Sequence, residues 1–172
     1  MNLKKHIRNI PDFPKKGILF YDITTLINNK KAFKTAIEQL AKALKGKKID
    51  YILAAESRGF IFGGALAYKL GCGFVPVRKP GKLPSKTYRH TYSLEYGTDS
   101  LEIHRDAFAA GSRVLVLDDL LATGGTALAM IKLARKLKGK IAGVLFLIEL
   151  IGLGGRKKLK GYSVYSLMEL AA

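Results

Sequence analysis

The sequence has no tryptophan and one cysteine, Cys72, in 172 residues. A lone cysteine excludes an internal disulfide and any multi-cysteine metal site. Cys72 lies between two glycines ahead of an apolar run and reads as a small packed residue. The three histidines, His6, His90 and His104, show no metal-ligand spacing. No apolar run is long enough to span a bilayer. The opening stretch MNLKKHIRNI lacks both an apolar h-region and a cleavage site. These features lead to the expectation of a cytoplasmic protein with no membrane partner. Acidic residues are also scarce: 13 Asp and Glu face 30 Lys and Arg, for a formal net charge of +17. Such an excess first suggests nucleic acid. The basic residues are scattered along the chain, however, and neither an RNP-like aromatic pattern nor a zinc spacing goes with them. No specific nucleic-acid partner is expected. A polyanionic small substrate, or plain solubility, accounts for the charge as well.

What is present is an ordinary globular composition, 48% hydrophobic and 25% charged. The length suits one domain with a substantial core. Phe33, Ile37, Leu40 and Leu44 recur at helical spacing and predict an amphipathic helix over 32–45. Short apolar runs at 51–55, 73–77, 114–117 and 142–148 read as strands, with a last strand at 163–167. Helices are predicted over 60–70 and 125–137, and a short one over 3–10, stopped by Pro11. Apolar runs alternating with helices predict an α/β fold, a parallel sheet with both faces covered. Residues 79–105 break the pattern with prolines, glycines and many polar side chains. They read as a functional loop or a hairpin, with strands at 92–96 and 101–103 around a turn near Gly97.

The stretch 114–127, VLVLDDLLATGGTA, carries the chemistry. Ligands of an open parallel sheet bind beyond the carboxyl ends of its strands. Asp118 and Asp119 fall at that end. Ala122, Thr123, Gly124, Gly125 and Thr126 then lead into a helix. Small residues there let backbone N–H groups approach a phosphate, and the helix N-terminus adds its dipole. The Lys of a P-loop is missing. An aspartate cap and a glycine turn would explain one carboxylate, but not two followed by T-G-G-T. Two carboxylates can accept hydrogen bonds from vicinal hydroxyls while the loop holds a phosphate, a layout that fits a ribose 5-phosphate.

These residues resemble the phosphoribosyl-pyrophosphate motif of the type I phosphoribosyltransferases. The wider set is similar to the adenine-specific branch of that family. It comprises DFPKKGILFYDIT, ESRGFIFG, FVPVRKPGKLP, YSLEYGTDSLEIH, VLDDLLATGGT and the late IEL, collinear over nearly the whole chain. The resemblance implies a single domain over 1–172. Its core would span about 30–150, with a hood from 10–28 and 150–170 and a flexible catalytic loop at about 79–105. It implies transfer of a phosphoribosyl group to adenine in purine salvage, with Mg²⁺ held mainly by the substrate, and a homodimer. Transfer to hypoxanthine, guanine or xanthine, or a non-catalytic purine-sensing, nucleic-acid-binding regulator of the same fold, are the alternatives.

By the same resemblance, Glu56, Ser57, Arg58, Arg78, Lys79 and Lys82 would hold pyrophosphate, and the Glu56–Ser57 peptide would be cis. Without it, Arg58 would read as an ion-pairing arginine. Phe20 would stack on adenine, with backbone groups of Leu19 and Tyr21 at the base's edge and Leu150 over its other face. Many family members carry Arg or Lys where this chain has Tyr21, so the resemblance assigns its side chain no role. Glu95 would be the catalytic residue, handling a proton of the adenine ring. No residue is implied as a dedicated metal ligand.

Overall fold

A computed structural model describes residues 1–93 and 97–172. Its centre is a five-stranded sheet, all parallel. In spatial order the strands are β4 (Gly73–Val77), β3 (Tyr51–Ala55), β7 (Arg113–Leu121), β8 (Lys140–Ile151) and β9 (Val164–Ala171). The sequence dictates this burial. In β7, Leu115 and Leu117 pack into one core, while Val114 and Val116 pack into the other. That is the period of two of a strand covered on both faces. Truncating one of these leucines to alanine would cost roughly 2–5 kcal/mol.

The first core is closed by α1 (Thr24–Asn28), α2 (Lys30–Ala43) and α3 (Arg58–Leu70). Ala32, Ala36, Ile37 and Leu40 form the buried stripe of α2. The Asn29 side chain caps this helix, accepting from the N–H groups of Lys31 and Ala32 at 3.1 and 3.0 Å. The second core lies under α4 (Gly125–Lys136) and a hairpin of β5 (Thr87–Ser93) and β6 (Thr98–His104). Leu101 and Ile103 of that hairpin are buried, so much of 79–105 is packed structure. A backbone bridge between Arg78 and Glu102 docks it on the end of β4.

Connection order places the site. The chain leaves β3 through α3 to reach β4 on one side. It leaves β7 through α4 to reach β8 on the other. The direction of winding reverses between β3 and β7, and such a switch point leaves a crevice at the strands' carboxyl ends.

One expectation fails at the N-terminus. Residues 3–10 form a 3₁₀ turn at Leu3–His6, followed by β1 (Arg8–Ile10). This strand pairs antiparallel with β2 (Phe20–Asp22). Arg8 donates to Asp22 through Nε at 2.9 Å, and the Thr24 N–H donates to the same carboxylate at 2.8 Å. The Thr24 and Arg8 hydrogen bonds lower the Asp22 carboxyl to a pKa of about 2. These tertiary bonds draw the segment out of a helix that is too short to hold by itself.

Candidate active site

A cavity of about 340 Å³ opens at the switch point. Its walls include Ser57 and Arg58 at the start of α3, Asp118 and Asp119 of β7, and Thr126 in the first turn of α4. The positive ends of two helices therefore face one space, which suits an anionic ligand. A larger cleft of about 940 Å³ lies between the end of β8 and α5 (Gly155–Lys158). Volume alone would choose that cleft, whereas the convergent charges choose the smaller cavity.

Asp119 is buried and paired with Arg58, whose Nε lies 2.8 Å from its carboxylate. The Arg58 guanidinium also lies 5.4 Å from the centroid of the Phe20 ring. Phe13 packs edge-on against that ring at 5.1 Å. One arginine thus joins a carboxylate to an aromatic platform. Burial raises both aspartate carboxyls above their usual range. For Asp118 the neighbouring charge of Asp119 adds to the rise, whereas Arg58 restrains that of Asp119. Gly59 permits the approach of α3: a Cβ there would stand 2.9 Å from the Asp118 carboxylate.

Cations gather on the other side around Glu56. Its carboxylate accepts from Arg78 at 2.9 and 3.0 Å, from the Lys79 N–H at 2.7 Å and from Lys82 at 3.4 Å. Burial alone pushes the Glu56 carboxyl up, but these bonds bring it below its ordinary value. The Glu56 side chain is thus committed to arranging cations. The Glu56–Ser57 peptide bond is cis.

The 122–126 loop is braced from behind. Gly124, at φ +81°, caps α4 and lies against Gly155. A Cβ on Gly155 would stand 2.2 Å from the Ala122 carbonyl oxygen. Gly155 is fixed by its neighbour Arg156, which donates to Glu149 at 3.0 Å and to the Val164 carbonyl at 3.0 Å. Gly155→Ala must therefore displace the loop. Binding of a phosphate-bearing ligand at this loop, measured by calorimetry, is expected to weaken roughly 10-fold or more, because misplacing a binding group by about 1 Å can cost up to ~10²-fold.

Comparison with known proteins bears on what such a site serves. The phosphoribosyl transferase domain family matches residues 24–168. An adenine phosphoribosyltransferase of Brachyspira hyodysenteriae is 62% identical, over 98% of this chain and 99% of its own. The chain belongs to the adenine phosphoribosyltransferase family. The crystal structure of the Thermoanaerobacter pseudethanolicus member superposes with a TM-score of 0.96 at 60% identity, covering 98% of each chain. That of the Saccharomyces cerevisiae member, solved with an imino-altritol bisphosphate and adenine, gives 0.90 at 44% identity over 96% of each.

Several of the family's implied site residues meet in the smaller cavity: Phe20, Glu56, Ser57, Arg58, Lys79, Asp118, Asp119 and Thr126. Arg78 and Lys82 reach it through Glu56. Leu19 is exposed, and Leu150 lines the larger cleft. Gly125 lines a neighbouring cavity with His90. Glu95 lies outside the described residues. The Tyr21 side chain is buried, and its hydroxyl donates to the Ala171 carbonyl at 2.9 Å, tying β2 to the end of β9. Sequence reasoning missed Tyr92 and Asp99, which line the cavity from the hairpin. They are direct cross-strand partners. Only the register of β5 against β6 could have paired them.

Proposed function

We propose that the cavity at the switch point is where this enzyme binds phosphoribosyl pyrophosphate and adenine. The reaction of the family is transfer of the 5-phosphoribosyl group to adenine, giving AMP and pyrophosphate. One observation carries the assignment of the site. The Asp118–Asp119 pair lies between a helix N-terminus at Thr126 and the Arg58–Phe20 stack.

In this reading the 5-phosphate rests on the backbone N–H groups of Ala122, Thr123, Gly124 and Gly125, with the Thr126 hydroxyl as a further donor. Asp118 and Asp119 accept from the ribose hydroxyls. Pyrophosphate meets Lys79, Lys82, Arg78 and the start of α3 at Ser57 and Arg58. Adenine stacks on Phe20, its edge read by the backbone of Leu19 and Tyr21, with Leu150 on the far side. Mg²⁺ would be held mainly by the donor's own pyrophosphate and ribose oxygens and by water, with no side chain of the chain as a dedicated ligand. When bound, that ion neutralises charge on the departing pyrophosphate.

The chain's own part is to align C1 of the ribose with the adenine nitrogen and to stabilise the leaving group. Glu95 takes the ring proton that adenine must lose. We further infer a cytoplasmic homodimer. Light scattering should then give about twice the chain's 18.9 kDa. Among the described residues, no helix is long and apolar enough to cross a membrane.

The test is a panel of nucleobases with phosphoribosyl pyrophosphate and Mg²⁺, followed by detection of the mononucleotide. Adenine is expected to be converted to AMP in strong preference to hypoxanthine, guanine and xanthine. Faster conversion of a 6-oxopurine would overturn the base assignment.

A further inference from the structure

The two ends of the proposed donor site are joined by an unbroken polar chain that the reaction itself does not require. Thr126 belongs to the phosphate loop and Lys79 to the pyrophosphate side. Between them stand Tyr92 and Asp99, directly paired across the β5–β6 hairpin. The Lys79 ammonium is bonded to the Asp99 carboxylate. The Tyr92 hydroxyl donates to the same carboxylate at 3.3 Å. Tyr92 has only one proton, so at its 3.3 Å contact with Thr126 the threonine hydroxyl is the donor. Asp99 also accepts from the Ser100 N–H at 2.8 Å. The Tyr92 ring is seated over Gly125, where a Cβ would stand 3.2 Å from it.

The cations of the pyrophosphate side thus already carry anionic partners: Arg78 and Lys82 share Glu56, and Lys79 holds Asp99. The two carboxylates differ in kind. Glu56 is anchored by several donors beside its own strand. Asp99 comes from a separate hairpin and is less buried, its side chain 21% exposed. Its pair with Lys79, itself 45% exposed, is therefore open to exchange for a stronger anion.

Resting on the functional reading above, we propose that Asp99 is a positioning residue, an internal anion that holds Lys79 in the donor site and yields it to pyrophosphate. The aspartate keeps the lysine extended toward the cavity while no polyphosphate is present. Pyrophosphate must then displace it, which weakens binding of donor and product alike and lets the product leave. On exchange the Asp99 carboxylate keeps its bonds from Tyr92 and Ser100, so it is not left without partners.

The test is calorimetric titration of inorganic pyrophosphate with Mg²⁺ into the whole chain and its variants. Asp99→Asn is expected to bind pyrophosphate more tightly, by on the order of 2- to 5-fold, the factor that a partly exposed ion pair is worth. AMP affinity should not change, since AMP carries no pyrophosphate. In a Lys79→Ala background the same substitution should give no gain, which a double-mutant cycle reads directly. Asp99→Ser must repeat the gain, and melting curves confirm that each variant is folded. Unchanged or weaker pyrophosphate binding in folded Asp99→Asn overturns the inference. So does a gain that persists without Lys79, which would reflect general repulsion. A wild-type chain that makes no AMP would overturn the catalytic reading alone, because the pyrophosphate titration still decides the role of Asp99.

Discussion

Replacing Asp118 and Asp119 together by asparagine is expected to cripple turnover while leaving the fold at least as stable. Each carboxylate would lose a charge-assisted hydrogen bond to a ribose hydroxyl. Such bonds are worth roughly 1.5–3 kcal/mol, so kcat/KM for the donor should fall by on the order of 10²–10⁴-fold. Stability should move the other way. Both carboxyls titrate in the fold above their ordinary 3.8. A raised acid favours the fold fully below the ordinary value, and that contribution is lost as pH rises through the raised one. At neutral pH the wild-type fold therefore carries the cost of two desolvated, crowded carboxyls. The uncharged pair removes it, and the new amide can still accept from Arg58. Thermal melting at neutral pH should show the variant equal to or above the wild type. The difference should shrink on acidification toward the ordinary carboxylate range. A lower melting temperature with retained turnover would contradict both halves.

Glu95→Gln is expected to lower kcat by roughly 10²-fold or more, the usual loss when general acid–base help is removed. The glutamine keeps the size and one acceptor but cannot take the ring proton of adenine. Donor affinity should change little, because the proton is handled in the transition state more than in the ground state. Glu95 lies in the segment joining β5 to β6, and Tyr92 and Asp99 at the inner ends of those strands line the cavity. Single-turnover kinetics with saturating donor would isolate the chemical step. Near wild-type kcat under those conditions would remove Glu95 from the catalytic account.

The sequence made the site's centre legible because local pattern and chemistry coincide there. An apolar strand running into Asp118-Asp119 and then T-G-G-T admits few readings, and the strand is where expected, extended to Leu121. The alternation of apolar runs and helices likewise reflects burial on both faces, which any parallel sheet demands. What stayed hidden depends on contacts between distant residues. Residues 3–10 have a helical look, but Asp22 and β2 draw Arg8–Ile10 into a strand. Tyr21 reads as a departure from its relatives, yet its hydroxyl finds the Ala171 carbonyl, 150 residues away. Asp99 falls inside the stretch YSLEYGTDSLEIH, but the resemblance assigns it no role. Its place depends on the hairpin's register, and an error of one residue would turn it to the other face. The bracing of the phosphate loop by Gly155 is equally invisible, since it rests on an approach between backbones.

The most direct test of the site assignment is a crystal structure of the chain with AMP bound. The phosphate is expected against the backbone of residues 122–126, the ribose hydroxyls on Asp118 and Asp119, and the adenine ring on Phe20. AMP seated instead in the cleft between β8 and α5, with Asp118 and Asp119 untouched, would contradict it.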